Sequence, residues 1–190
     1  MYAFLTAIAV IWVVFWITWF ISAWITRSPV KSQQPQGVRI FFFPALLVVA
    51  GILLFSENTS GILVQRIIPD TLPVNLAGLI LTLAGIGFTY WARLHLGRFW
   101  SSMPVIRVDH KLIRTGPYRF VRHPIYSGLL FGLIGTIIVV GTLVVILAVF
   151  VVLMVFFWKI MAEEKVLLEE FGDEYTQYKK EVPALIPFVK

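Results

Sequence analysis

The sequence predicts an all-α integral membrane protein with five transmembrane helices. Of its 190 residues, 59% are hydrophobic and 15% are aromatic, a composition too apolar for a water-soluble domain. The apolar residues fall into uncharged stretches of about the length that crosses a bilayer as a helix. The last two stretches have no charge between them, so we expect them to form a helical hairpin. Residues 1–190 are therefore interpreted as one membrane domain.

Charged residues and helix-breaking loops bound the predicted spans. The first span lacks the basic start and short apolar core of a signal peptide, so we interpret it as a retained helix. A single helix over residues 125–158 would rise about 50 Å against a hydrocarbon core of about 30 Å. We therefore predict a break near Gly141 and Thr142, where glycine lets the chain reverse. The five spans are expected at about 2–25, 40–56, 71–92, 125–140 and 142–158.

Glycines recur on one face of two of these spans. Gly78 and Gly85 lie on one helical face of the third span, and Gly128, Gly132 and Gly135 share a face of the fourth. Small residues allow membrane helices to approach closely. We expect the first pair to receive a neighbouring helix and the second set to pack within the hairpin.

Lysine and arginine are distributed unevenly between the spans. The first loop contains three, the second one, the third seven, the hairpin tip none and the tail five. Because basic loops remain in the cytoplasm, the first and third loops and the C-terminus are predicted to be cytoplasmic and the N-terminus to lie outside. The net charge of +6 then suits anionic membrane lipids as partners, and we expect no nucleic acid partner.

The third loop concentrates most of the polar chemistry. Residues 93–126 include seven Lys or Arg and all three histidines of the chain. Cysteine is absent and the histidines lack the spacing of metal ligands, so we predict no metal site. Pro124 suits the first turn of a helix, and Arg122 and His123 precede it at a helix N-terminus that favours anions. From composition alone, a membrane-edge anchor for lipid phosphates remains the competing interpretation of Arg122.

The C-terminal tail is predicted to continue the fifth span as an amphipathic helix. Acidic residues alternate there with apolar and aromatic residues at the three-to-four-residue spacing of a helix face. Pro183 and Pro187 are expected to end this helix. Glu163 and Glu164 lie about one turn beyond the membrane edge, level with the basic loop, whereas the later acidic residues are interpreted as a solvated face.

Two groups of motifs resemble the isoprenylcysteine carboxyl methyltransferase family, in the order found in that family. The first group is Leu96-Gly97-Arg98-Phe99-Trp100-Ser101, Asp109-His110-Lys111-Leu112-Ile113, Gly116-Pro117-Tyr118 and Arg122-His123-Pro124-Ile125-Tyr126-Ser127-Gly128. The second group is Glu163-Glu164, Phe171-Gly172-Asp173-Glu174-Tyr175, Tyr178-Lys179-Lys180, Val182-Pro183 and Ile186-Pro187-Phe188. The Arg-His-Pro motif alone is less specific, because related phospholipid N-methyltransferases share it. The joint pattern marks residues 93–188 as the catalytic region.

This resemblance implies a cytosolic pocket for S-adenosylmethionine, formed by the 93–124 loop and the C-terminal helix. Beside it the family has a cleft open to the bilayer for a lipidated or amphiphilic substrate. The matching positions imply the cofactor contacts His110, Lys111, Leu112, Ile113, Tyr118, His123, Pro124, Ile125, Tyr126 and Glu163. Lys159 stands where the family has a substrate-contacting arginine, which is a departure from the pattern. Arg122, Lys159 and Glu164 are the expected catalytic residues.

The resemblance implies methyl transfer from S-adenosylmethionine to the carboxylate of a prenylcysteine-like or other amphiphilic substrate. An ionised carboxylate needs positioning and exclusion of water but no general base. Because lysine grips a carboxylate less specifically than arginine, a phospholipid or amine acceptor is the alternative, with Glu164 as the base that an amine requires. A third hypothesis is a non-enzymatic scaffold whose basic loop binds anionic lipid. Both enzyme hypotheses require His123 and Glu163 to face one pocket.

Overall fold

The computed structural model describes residues 2–25, 30–33, 61–101, 105–107 and 111–187. Four helices make up most of this part of the chain: α1 (Tyr2–Ile25), α2 (Leu72–Leu96), α3 (Pro124–Val140) and α4 (Leu143–Glu181). Short 3-10 turns occupy Gly97–Phe99 and Gly116–Arg119, and strands β1 (Val30–Gln33) and β2 (Val105–Arg107) pair antiparallel. The predicted helical architecture is confirmed for the described residues outside these two strands. The short pair of strands is an addition that the sequence did not predict, because it joins two segments far apart in the chain.

Several helices are suited to a membrane. Among the described residues, Tyr2–Ser22, Leu72–Phe99 and Leu143–Glu181 are long and apolar enough to cross it, and α3 is apolar but shorter, with 17 residues. These helices support an integral membrane protein. They cover the predicted spans at 2–25, 71–92, 125–140 and 142–158, whereas the span predicted at 40–56 lies outside the described residues. The orientation of the termini stays a prediction.

The turn between α3 and α4 lies where the sequence predicted it. Gly141 ends α3 with a φ of 72°, a left-handed conformation that glycine adopts at little cost. Arg66 fixes this turn from the preceding loop, donating from Nη1 to the carbonyl of Val139 at 2.7 Å and from Nε to the carbonyl of Ile68 at 2.8 Å. The predicted break is therefore confirmed.

The closest helix contact joins α2 to α3 through glycine. A Cβ placed on Gly85 would lie 2.4 Å from the carbonyl oxygen of Gly128 and 2.5 Å from the nitrogen of Gly132. A Cβ on Gly135 would lie 2.4 Å from the carbonyl oxygen of Gly78. The glycine face of α3 therefore contacts α2, and the prediction that it packs within the hairpin is wrong. The physical reason is complementary spacing: α2 carries the matching glycines, whereas residues 143–158 of α4 contain none.

An aromatic cluster packs α1 against α2 and α3. Its buried members are Phe15, Trp19, Ile86 and Leu129. Near this cluster, Trp12 of α1 donates from Nε1 to Oγ1 of Thr136 in α3 at 2.9 Å. In an apolar medium such a hydrogen bond holds two helices in a fixed rotation, because neither polar group can turn to water.

The helix α4 bends sharply at Gly172, which has a φ of 49° and a ψ of −119°. In a straight helix the 15 residues from Glu164 to Lys179 would span about 22 Å. Instead, Nζ of Lys179 lies 2.7 Å from Oε2 of Glu164, so residues 173–181 fold back along the preceding helix. The predicted continuation to Pro183 is confirmed, because the last helical residue is Glu181. The bend itself was not predicted.

Candidate functional site

The start of α3 is held by the segment that follows α4. The backbone N–H of Arg122 donates to the carbonyl of Pro183 at 2.8 Å, and that of His123 donates to the carbonyl of Ala184 at 3.0 Å. These two donors precede the helix and are already used within the protein. The bend at Gly172 is what brings this segment back to α3.

The guanidinium of Arg122 is hydrogen-bonded to acceptors within the protein. Nε and Nη2 donate to Oε1 of Glu164 at 3.0 and 2.7 Å, and Nη1 donates to the carbonyls of Lys179 and Val182. Nζ of Lys179 binds the other carboxylate oxygen of Glu164. Arg122 therefore ties the tail to the start of α3. These contacts favour a positioning role for Arg122 over a lipid anchor.

His123 is buried between two carboxylates. Its Nδ1 lies 3.7 Å from Oε2 of Glu163, and its Nε2 lies 3.3 Å from Oε1 of Glu164, with the imidazole 5% exposed. One turn further along α3, the hydroxyl of Tyr126 donates to Oε1 of Glu163 at 2.5 Å. The predicted proximity of His123 and Glu163 is confirmed.

The charge of His123 is set by these neighbours. Burial lowers its pKa, but the hydrogen bonds and charges of Glu163 and Glu164 outweigh burial and hold the pKa above its ordinary value of 6.5. The imidazolium form can donate from both nitrogens, one to each carboxylate. The raised pKa therefore favours the imidazolium form of His123, which would join Glu163 to Glu164.

The thermal stability of the protein is expected to fall as the pH rises above about 6.5. The pKa of His123 is higher in the folded than in the unfolded state. Its contribution to stability is therefore complete below the unfolded pKa and is lost as the pH rises through the folded pKa. Thermal unfolding of detergent-purified protein across this range measures the effect. His123→Gln is expected to flatten the dependence, whereas His95→Gln should retain it, and an unchanged slope in His123→Gln would contradict the assignment.

Tyr118 and Lys159 border the cluster. Nζ of Lys159 lies 5.5 Å from the centroid of the Tyr126 ring. Burial, together with the charge of Glu163, raises the pKa of Tyr118 above its ordinary range. The carbonyl of Tyr118 accepts a hydrogen bond of 2.5 Å from the hydroxyl of Tyr178. Two carboxylates, one histidine, three lysine or arginine side chains and two tyrosine rings thus meet where α3 begins and α4 leaves the apolar region.

The structure gathers some of the predicted site residues and not others. His123, Tyr126, Glu163, Glu164, Arg122 and Lys159 come together, and Pro124 and Ile125 form the first turn of α3 beside them. Within the described part of the chain, no hydrogen bond or ion pair joins this cluster to Lys111, Leu112 or Ile113. His110 lies outside the described residues.

Lys179 and Tyr178 were not predicted as parts of the site. Both reach it only because α4 turns back at Gly172. The signal available in the sequence was an isolated glycine inside a helical pattern, which costs helix stability and indicates a special backbone position.

Comparison with known proteins gives a consistent set of relatives. Residues 74–174 match the phospholipid methyltransferase family. A probable protein-S-isoprenylcysteine O-methyltransferase of Oryza sativa subsp. indica is 36% identical over 122 residues, which cover 62% of this chain and 63% of that protein. The protein-S-isoprenylcysteine O-methyltransferase of Schizosaccharomyces pombe is 43% identical over 82 residues, covering 43% of this chain and 35% of the relative. This chain thus spans less than two thirds of the length of these relatives.

A solved structure shares the fold. It is the structure of a eukaryotic intramembrane Ras methyltransferase, isoprenylcysteine carboxyl methyltransferase, with a TM-score of 0.57. The match covers 78% of this chain and 52% of that chain, with 22% sequence identity. At this identity the likeness shows a common arrangement of membrane helices.

Proposed function

Since the chain belongs to the phospholipid methyltransferase family, with residues 74–174 matching it, we propose that it is a membrane-embedded methyltransferase that uses S-adenosylmethionine. Its acceptor is the carboxylate of a prenylcysteine-like amphiphile, as the names of its relatives suggest. The observation that carries this proposal is the cluster in which His123 lies between Glu163 and Glu164. A buried group of paired charges at the end of apolar helices is the kind of site that binds a charged cofactor beside a lipid.

The residues of the cluster fit S-adenosylmethionine, which when bound supplies an electrophilic methyl group on a sulfonium. Glu164 is paired with Arg122 and Lys179, whereas Glu163 contacts His123 and Tyr126, lies within the field of Lys159 and is 22% exposed. Glu163 therefore retains negative charge for a cationic ligand. The rings of Tyr118 and Tyr126 provide faces that attract cations. His123 orients Glu163 by the contact from its Nδ1.

Lys159 is the residue that we propose to hold the acceptor carboxylate. Among the described cations of the cluster, Arg122 and Lys179 are paired with Glu164, whereas Lys159 makes no ion pair within 4 Å and acts on Glu163 only through its charge. Lysine can bind a carboxylate as a point charge where the family has arginine. On the same helix, the large apolar side chains of Met154, Phe157, Trp158 and Met161 are exposed. They give a lipid chain an apolar surface next to the charged end of the site.

A carboxylate acceptor agrees with the surroundings of Glu164 better than an amine does. An amine must lose a proton, so its methylation needs a base near the reacting nitrogen. Two cations and a histidine surround Glu164 and stabilise its charged form, which makes it a poor proton acceptor. An ionised carboxylate has no proton to lose, and the residues then only position the reactants and exclude water.

The distribution of basic residues supports a proposed placement of the site in the membrane. We propose that the whole chain acts as one membrane domain, with residues 93–188 as its catalytic region. The cluster and the C-terminus face the cytoplasm, where S-adenosylmethionine is available, and the N-terminus lies on the other side.

The acceptor is tested by offering a prenylcysteine analogue and phosphatidylethanolamine in parallel, with methyl-labelled S-adenosylmethionine and detergent-purified protein. Label is expected in the prenylcysteine analogue as a base-labile methyl ester. Lys159→Met should lower kcat/KM for this acceptor by about 10- to 100-fold, the loss expected for one charge-assisted hydrogen bond. Lys159→Arg should retain activity, and Lys165→Met, which changes an exposed lysine of the same helix, should have no effect. Label in phosphatidylethanolamine and none in the analogue would exclude the carboxylate acceptor.

A further inference from the structure

Arg93 is a buried cation outside the cluster around His123. It lies in the last turn of α2 and is 3% exposed. Its Nε donates to Oγ of Ser22 in α1 at 2.9 Å. The guanidinium lies over two indole rings, 3.5 Å from the centroid of Trp100 and 4.2 Å from that of Trp19. The guanidinium of Arg93 is therefore held in one position by α1, α2 and the segment after the 3-10 turn.

The two terminal nitrogens of Arg93 are buried and have no hydrogen-bond partner among the residues that the structure describes. Arginine keeps its charge even when it is buried, and the indole faces compensate for only part of the lost hydration. Buried polar groups in folded proteins are nearly always paired, so an unpaired pair of donors indicates a missing acceptor. Because Nε is used by Ser22, the free edge of the guanidinium is the one formed by Nη1 and Nη2.

We infer that Arg93 is a binding site for an oxyanion carried by an amphiphile, which accepts hydrogen bonds from Nη1 and Nη2. The fork of two N–H donors matches the paired oxygens of a carboxylate or phosphate. We expect the ligand to be amphiphilic because α1, which contributes Ser22 and Trp19 to the site, also exposes large aromatic side chains that suit a membrane. Trp16, Phe20 and Trp24 of α1 are exposed, and tryptophan is typical of the headgroup level of a membrane. The ligand is either a phospholipid phosphate or the carboxylate of an amphiphile.

Access to this site requires a movement of one ring. Both terminal nitrogens are covered, and Trp100 is less buried than Trp19. Trp100 follows the turn that begins at Gly97, which has a φ of 56°. We therefore expect the ligand to enter on the side of Trp100, while Trp19 and Ser22 keep the arginine in place. The site stands on the geometry of Arg93 and does not depend on the proposed methyl transfer.

The test is a thermal-shift titration of delipidated protein in an uncharged detergent. Its probes are short-chain phosphatidylglycerol, short-chain phosphatidylcholine and a prenylcysteine analogue with a free carboxylate. At least one probe is expected to raise the melting temperature of the wild-type protein saturably. Arg93→Gln should abolish that shift. Arg93→Lys, which keeps the charge but removes the fork, should weaken the apparent affinity about tenfold or more. Ser22→Ala removes the partner of Nε but keeps the fork of Nη1 and Nη2, and it should retain the shift.

Each outcome of the titration either identifies the class of ligand bound by Arg93 or overturns the inference. A shift with both phospholipids that depends on Arg93 assigns a phosphate ligand, and a dependent shift with the prenylcysteine analogue alone assigns a carboxylate. Equal shifts in wild-type protein, Arg93→Gln and Arg93→Lys, or no shift with any probe, would overturn the inference. If Arg93→Gln does not fold, the comparison of Arg93→Lys with Ser22→Ala decides.

Discussion

Replacing Glu163 with glutamine is expected to weaken the binding of S-adenosylmethionine by about 10- to 100-fold and to reduce methyl transfer accordingly. Glutamine has nearly the same shape as glutamate and can still accept the hydrogen bond from Tyr126, so the local structure should persist. What the substitution removes is the negative charge. A hydrogen bond to a charged group contributes about 1.5–3 kcal/mol, and each 1.4 kcal/mol is a factor of ten in affinity.

Calorimetry on detergent-purified protein measures the cofactor affinity directly. The matched control is Glu169→Gln, the same substitution on the same helix at a carboxylate that is 59% exposed, and it should bind as the wild type does. His123→Ala is expected to lose binding as well, because it removes the imidazole that contacts both carboxylates. Unchanged affinity in Glu163→Gln would remove Glu163 from the cofactor site. Failure of the wild-type protein to bind would refute the proposed function itself.

The parts of the fold that the sequence predicted correctly are those determined by a few neighbouring residues. Pro124 begins α3, Gly141 ends it, and α4 stops before Pro183, because each of these residues restricts or frees its own backbone angles. The proximity of His123 to Glu163 was predicted from a resemblance to a family. Length, charge and helix spacing alone left a lipid anchor as a competing interpretation of the same segment.

The parts that could not be predicted depend on which surfaces meet. The spacing of Gly128, Gly132 and Gly135 indicated a close contact but did not identify α2 as the partner. In the same way, a charged face on α4 gave no reason to place Lys179 against Glu164 until the bend at Gly172 was known. Helical periodicity shows which residues share a face of a helix. Which other element packs against that face is determined by the whole fold.

The contact between α2 and α3 also explains how the site is kept in place. His123 lies at the start of α3, five residues before Gly128, which rests on the backbone of α2. Oγ1 of Thr89 in α2 donates to the carbonyl of Ile125 at 3.4 Å, beside the same helix start. A backbone-to-backbone contact resists deformation more than a contact between side chains does, because no rotamer change can relieve it. The position of His123 therefore depends on Gly85.

Replacing Gly85 with alanine is expected to destabilise the protein by about 1–3 kcal/mol or more. The added methyl group would lie 2.4 Å from the carbonyl oxygen of Gly128, so the two helices must separate. Gly87→Ala is the matched control, because a Cβ at Gly87 meets nothing within 4 Å among the described residues. Since alanine favours the helix more than glycine does, this control should be neutral or slightly stabilising.

Thermal unfolding in detergent compares the two variants, and methyl transfer measured below the unfolding temperature separates packing from chemistry. Gly85→Ala should lose activity even where it remains folded, because displacement of α3 moves His123 away from the carboxylates of α4. Gly87→Ala should keep both stability and activity. Equal stability of the two variants would mean that α2 and α3 do not meet through Gly85. A destabilised Gly85→Ala variant with full activity would show instead that the position of His123 does not depend on this helix contact.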